Sequence, residues 1–130
     1  MAGCLLRVSG RKFDVNSYLQ KSRRLKPSVI YRKGERGARN RINRESGMSV
    51  VVSSKETFEE QMRQAIQFLT GKRIELRKLR RTKSVESICF DFGVVRNGNE
   101  LAEYYRFPVK FLQCVADLGI QFELSRYAGL

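Results

Sequence analysis

The stretch Ser84–Val95, SVESICFDFGVV, decides how this chain folds. Ile88, Phe90, Phe92 and Val94 alternate with Ser87, Cys89, Asp91 and Gly93. In an extended strand, side chains point to opposite faces with a period of two. One face is therefore aliphatic and aromatic, and the other is small or polar. The segment reads as a strand with its phenyl rings against a core. Arg96–Asn99, RNGN, follows directly, and its Asn-Gly pair signals a hairpin or sharp reversal.

Downstream, FPVKFLQCVADLG reads as a helix, with Pro108 at its first position and Gly119 at its C-terminal cap. Phe111, Cys114, Val115 and Leu118 form its buried stripe. IQFELSRY, residues 120–127, closes the chain as a strand, with Ile120, Phe122 and Leu124 on one face and Glu123 on the other.

Upstream, Cys4–Gly10 reads as a first strand ended by Ser-Gly. Asp14 then caps a short helix carrying Val15, Tyr18 and Leu19, with Phe13 as a hydrophobic staple. Pro27 opens an extended piece, and Ser28–Lys33 is predicted as a second strand. Gly47–Ser54 is predicted as a third, with Met48, Val50 and Val52 on one side. The longest helix is expected to begin at Ser54, with Glu56, Glu59 and Glu60 in its first turn. Phe58, Met62, Ala65, Ile66 and Leu69 make its core stripe. Gly71 should stop or kink it before a second helix whose apolar side is Ile74, Leu76 and Leu79.

The order β-α-β-β-α-α-β-α-β packs most simply as an α+β two-layer sandwich: a largely antiparallel sheet of about five strands with helices over one face. Residues 1–130 form one domain, with a basic loop at about 34–47 that is expected to be mobile, being polar and glycine-rich. At 130 residues and 42% hydrophobic, the chain has material for a single core.

The chain has no histidine. That removes Ser-His and Cys-His nucleophiles and histidine-ligated metals together. Cys4, Cys89 and Cys114 form no C-x-x-C pair, so neither a zinc site nor any other cofactor is expected. Three unpaired cysteines fit a reducing cytoplasm and read as small core hydrophobes. The N-terminus has only a short apolar run, and no stretch approaches a membrane span, so a cytoplasmic protein is expected.

The net charge is +13 and it is unevenly placed. Residues 1–83 carry 22 basic and 7 acidic side chains, whereas residues 84–130 carry 4 and 6. The excess sits in KSRRLK (Lys21–Lys26), in the loop after Tyr31, and in KRIELRKLRRTK (Lys72–Lys83). Gathered in space, these clusters would attract an acidic protein, nucleic acid or an anionic membrane.

Asp91 stands mid-strand between two phenylalanines, so a covered face would demand a partner for it. It is read as a structural ion-pair candidate, with an arginine as the expected partner and Arg32 as a candidate. Glu123 would be the second carboxylate of an acid–base pair, but no nucleophile–base constellation is visible and no catalytic residue is assigned. Gly34 and Gly37 lack phosphate-loop spacing and serve turns. For nucleic acid, Tyr31, Tyr104 and Tyr105 are the available stacking platforms, without a recognisable RNA- or DNA-binding module. The helix Lys72–Lys83 has too short an apolar face to lead as a membrane anchor.

CLLRVSGRKFDVNSYL, YRKGE, SGMSVVVS, FDFGV and FPVKFLQCVADLGIQFELSRY together resemble a family of small, uncharacterised bacterial α/β proteins labelled as a domain of unknown function. The resemblance covers nearly the whole chain. It implies a compact sandwich without assigned catalysis, of a kind with small cytoplasmic immunity proteins that neutralise a toxin. Tyr31–Glu35 and Asp91–Gly93 are matching positions without a defined role. The reading is a non-enzymatic, immunity- or antitoxin-like binding protein that docks an acidic protein partner, such as a toxin domain. The surface assigned to it is Arg32, Lys33, Arg36, Arg39, Arg41 and Arg44, with Lys72, Arg73, Arg77, Arg80 and Arg81. Nucleic acid held by its phosphates on the same residues is the alternative.

Overall fold

A computed structural model describes residues 2–96 and 102–128. The strands are β1 (Gly3–Gly10), β2 (Val29–Tyr31), β3 (Ser46–Ser53), β4 (Ser87–Val95) and β5 (Gln121–Tyr127). The helices are α1 (Val15–Lys21), α2 (Phe58–Gly71), α3 (Arg73–Arg81) and α4 (Val109–Leu118), with a 3-10 turn at Ala38–Asn40. The sheet order is β2-β3-β1-β4-β5. All pairings are antiparallel except β4–β5, which is parallel because α4 carries the chain back across the sheet. The fold is the expected α+β sandwich. The Asn-Gly turn after Arg96 lies outside the described residues. The strand that follows β4 is β5, which α4 delivers in parallel.

Local chemistry sets most boundaries. The Asp14 side chain caps α1, accepting from the Ser17 N–H at 3.0 Å. Thr57, not Ser54, caps α2, accepting from the Glu60 N–H, so Glu56 falls outside the first turn. Lys72 separates α2 from α3, giving the bent pair anticipated at Gly71. Pro108 stands at the N-cap of α4 with an extended ψ of 150°, one position before the first helical residue. Gly119 ends α4 in the left-handed region at φ 65°.

Three expectations are corrected. β3 carries a bulge: Leu5 pairs with Val51 but Cys4 pairs with Ser53. The extra residue, Val52, stays partly buried against the core, and Ser53 turns inward beside it. In α3, Ile74 is 72% exposed, and the buried side is Glu75, Leu76 and Leu79. β2 is shorter than Ser28–Lys33, because Arg32 and Lys33 already belong to the loop's own hydrogen bonds.

The core lies between the helices and one sheet face. Phe90 and Phe92 of β4 meet Phe68 and Phe58 of α2 and Phe111 of α4, with ring centroids 5.2–6.3 Å apart. Aromatic packing of this kind, edge-to-face for Phe68–Phe90, Phe90–Phe111 and Phe92–Phe111 and stacked for Phe90–Phe92, adds about 0.5–1.5 kcal/mol per pair beyond area burial. The opposite sheet face carries Arg7, Ser49, Cys89 and Glu123, and among the described residues no helix covers it.

Gly10, at the end of β1, presses against the segment that leads into β4. A Cβ there would overlap the carbonyl oxygen of Ser84. Backbone on both sides leaves nothing to yield. Gly10→Ala should therefore lower stability by about 1–3 kcal/mol, as overpacking does. Urea unfolding checks this, and an unchanged midpoint would refute the close approach.

Candidate binding surface

Two clefts flank the turn between β1 and α1. The first, about 540 Å³, lies between α1 and α3. Its rim carries Lys21, Arg23, Arg24 and Lys78, and its depth holds Tyr18, Ser22 and Glu75. Helical spacing explains the wall from α3: Glu75, Lys78 and Thr82 lie three and four residues apart, on one stripe. Tyr18 and Ser22, four apart, come from the end of α1 in the same way.

Glu75 is buried, and both the Tyr18 and Ser22 hydroxyls donate to its Oε1. Burial works to raise this carboxyl, but the hydroxyls of Ser22 and Tyr18 and the cations Lys78 and Arg24 outweigh it and hold it below its ordinary value. A carboxylate depressed on folding adds stability that is in force above its unfolded value, near pH 4.3, and is lost as pH falls through the folded value. The stability gap between the wild type and Glu75→Gln should therefore close on acidification below about pH 4. Chemical denaturation at a series of pH values tests this, and a gap that stays constant down to pH about 3 would count against the ion's role.

The second cleft is larger, about 1130 Å³, and is bounded by Arg11, Tyr31, Arg41, Arg44 and Glu45. Arg11 also salt-bridges Glu86 at 3.1 Å, just after α3, and Glu86 feels the charge of Lys33. The Arg32 guanidinium donates to Asn16 of α1 at 3.0 Å. The loop, the end of α1 and the end of α3 therefore surround one end of the sheet.

The loop, expected to be mobile, carries its own backbone hydrogen bonds. Gly34 and Asn43 are joined by the Gly34 N–H to the Asn43 carbonyl at 2.9 Å, and Asn43 returns to Glu35 at 2.8 Å. Gly37 donates to Arg41, and Arg36 pairs with Ile42 in an antiparallel bridge. Arg39 and Asn40 take left-handed φ values of 57° to turn the chain. Polar sequence concealed this, because the bonds are made by backbone.

The assigned cations divide. Arg41 and Arg44 line the second cleft, and Lys33 and Arg39 are exposed on the loop. Arg36 closes its own turn on the Asn40 carbonyl at 2.9 Å, and Arg32 is held by Asn16 and Glu35. On α3, Arg73 pairs with Asp117 of α4 at 3.4 Å. Arg80 donates to the Val85 carbonyl at 3.1 Å and lies against Gly119. Arg77 shares that stripe, away from the first cleft. Lys72 is half-buried between helices, and Arg81 is exposed beside Thr82. The cations the structure brings together, and which the assignment omitted, are Arg11, Lys21, Arg23, Arg24 and Lys78. The Glu75-Lys78-Thr82 stripe was the signal available for Lys78. Nothing in the sequence joined it to α1.

Asp91 has a different arginine partner from the candidate. Arg7, not Arg32, reaches it at 3.5 Å, and Ser125 donates to it at 2.8 Å. Arg7 also bonds Glu123, which lies beside Asp91 in the β4–β5 register. Arg32 sits beyond β2, and two strands, β3 and β1, lie between β2 and β4. Asp91 is 9% exposed and Glu123 half-exposed, so the two carboxylates meet across a guanidinium on the open sheet face. Cys89 lies on that same face, half-buried; its thiol is pushed up by burial first and then by Glu123. Cys4 is wholly in the core and its thiol is raised further, mainly by burial. Both shifts work against the reactive thiolate form. No helix of the described residues is long and apolar enough to cross a membrane.

No curated protein and no solved structure matches the chain. A domain of unknown function, DUF4279, matches residues 2–129. With its sandwich, its open sheet face and its ring of cations in place, the chain belongs to the DUF4279 family.

Proposed function

We propose that this is a non-enzymatic, cytoplasmic binding protein of the immunity or antitoxin type, which docks an acidic protein through the basic end of the sheet. The observation that carries the reading is the grouping of Lys21, Arg23, Arg24 and Lys78 around one cleft, with Arg11, Arg41 and Arg44 around its neighbour. Cations on converging walls sum their fields, which steers an anionic partner and fixes its orientation.

Aromatic placement favours protein over nucleic acid. Single strands need base-stacking platforms beside the cations. Tyr31 borders the second cleft but is half-buried with its ring packed over Gly47, and Tyr105 packs edge-on against Phe58 at 5.3 Å with its hydroxyl on Glu103. Tyr104 is 90% exposed, but it lines a cleft at the N-terminal end of α2, remote from the basic end.

The test is capture on immobilised protein from source-cell extract, with and without nuclease, followed by identification of what salt elutes. In parallel, single- and double-stranded nucleic acid is titrated at two salt concentrations. A defined acidic protein retained after nuclease supports the reading. Retention abolished by nuclease, with a nucleic-acid affinity that collapses by about 10³-fold or more between 50 and 200 mM salt, overturns it in favour of phosphate binding.

A further inference from the structure

The sheet has two edges, and the chain treats them differently. β2 is three residues long, follows Pro27 closely and runs into Arg32 and Lys33. Shortness, proline and charge all guard an edge against strand addition. β5, at the other edge, is seven residues long and contains neither proline nor lysine. Its single arginine, Arg126, is held by Glu103 at 2.6 Å. Among the described residues no strand pairs with its outer side. That side presents a row of backbone donors and acceptors about 23 Å long.

Apolar side chains border this edge. Phe122 and Tyr127 of β5 are 37% and 43% exposed. On α4, Asp117 reaches Arg73 and so marks the flank that faces α3. Leu112 stands about 140° around the helix from Asp117, on the flank away from α3. Val109 and Leu112 are 68% and 40% exposed there.

We propose that β5 pairs antiparallel with β5 of a second copy, joining two five-stranded sheets into one continuous sheet with the helices of both copies on the same side. A two-fold axis through Leu124 sets Gln121 opposite Tyr127, Phe122 opposite Arg126 and Glu123 opposite Ser125. Each opposed pair then lies on one face, as antiparallel pairing requires, and no like charges oppose. Phe122 against Arg126 is an aromatic–cation pair formed twice. Charge placement also admits a second copy. Residues 84–130 carry 4 basic and 6 acidic side chains, so two copies meet here without bringing their basic ends together. This inference stands independently of the acidic-partner reading.

Sedimentation velocity of the full chain over about a hundredfold range of concentration tests it, since self-association follows mass action. The expected species has twice the 15.1 kDa chain mass. Gln121→Lys with Tyr127→Lys places lysine opposite lysine at both ends of the pairing, at exposed positions. It should give a monomer with an unchanged circular-dichroism spectrum. Should that variant fail to fold, wild-type hydrogen exchange decides instead, through β5 amides whose protection rises with concentration. A wild type that stays monomeric throughout, a dimer that survives both lysines, or β5 protection independent of concentration overturns the proposal.

Discussion

Arg23→Glu, Arg24→Glu and Lys78→Glu, combined in one chain, are expected to slow association with the captured acidic partner by about 10- to 100-fold at low salt. All three residues rim the cleft between α1 and α3. Reversing them replaces an attractive field at the docking site with a repulsive one, while the exposed positions spare the core. The effect should fall mainly on the association rate and shrink as salt rises, because steering by exposed charges is screened within about 8–10 Å. The comparison that gives the result meaning is Arg63→Glu, Arg106→Glu and Lys110→Glu. It makes the same change in net charge among exposed residues at the other end of the molecule. Surface plasmon resonance at two salt concentrations measures both. Equal slowing by the two sets would show that only total charge matters, and the cleft would lose its assignment.

Phe92→Ala should cost about 3–5 kcal/mol, the usual loss for truncating a buried phenyl ring. Phe92 is fully buried and lies at the centre of the aromatic cluster. Its ring stands 5.2 Å from Phe58, 5.5 Å from Phe111 and 6.3 Å from both Phe107 and Phe90. It therefore ties together β4, α2, α4 and the segment that leads into α4. These neighbours are large and held by one another, so the cavity has little means of collapse. Denaturant unfolding measures the loss, beside Val95→Ala, which is exposed on the same strand and should change stability by less than about 0.5 kcal/mol. A loss below about 1 kcal/mol for Phe92→Ala would mean that the rings do not hold the layers together.

Alternation in Ser87–Val95, the Asp14 cap, the stop at Gly71 and the cap at Gly119 were all readable, because each is a preference of a few adjacent residues. The bulge at Val52 was not. It depends on how β3 meets β1, and local alternation in the sequence shows no sign of it. The hydrogen-bonded hairpin at Gly34–Asn43 was hidden for a related reason, since most of its bonds are made by backbone atoms common to every residue.

From sequence alone came the class of fold, the placement of the charge in the first two-thirds of the chain, and the absence of histidine chemistry. Only the tertiary structure decided which cations act together. On α3, one stripe turns Lys78 toward α1 while another takes Arg73 to Asp117 of α4 and Arg80 to the Val85 carbonyl. It also gave Asp91 to Arg7 and brought Glu123 beside it through a parallel pairing. Charge count is a property of composition, whereas an electrostatic field falls with distance. Distance between residues far apart in the chain exists only once the strands and helices have packed.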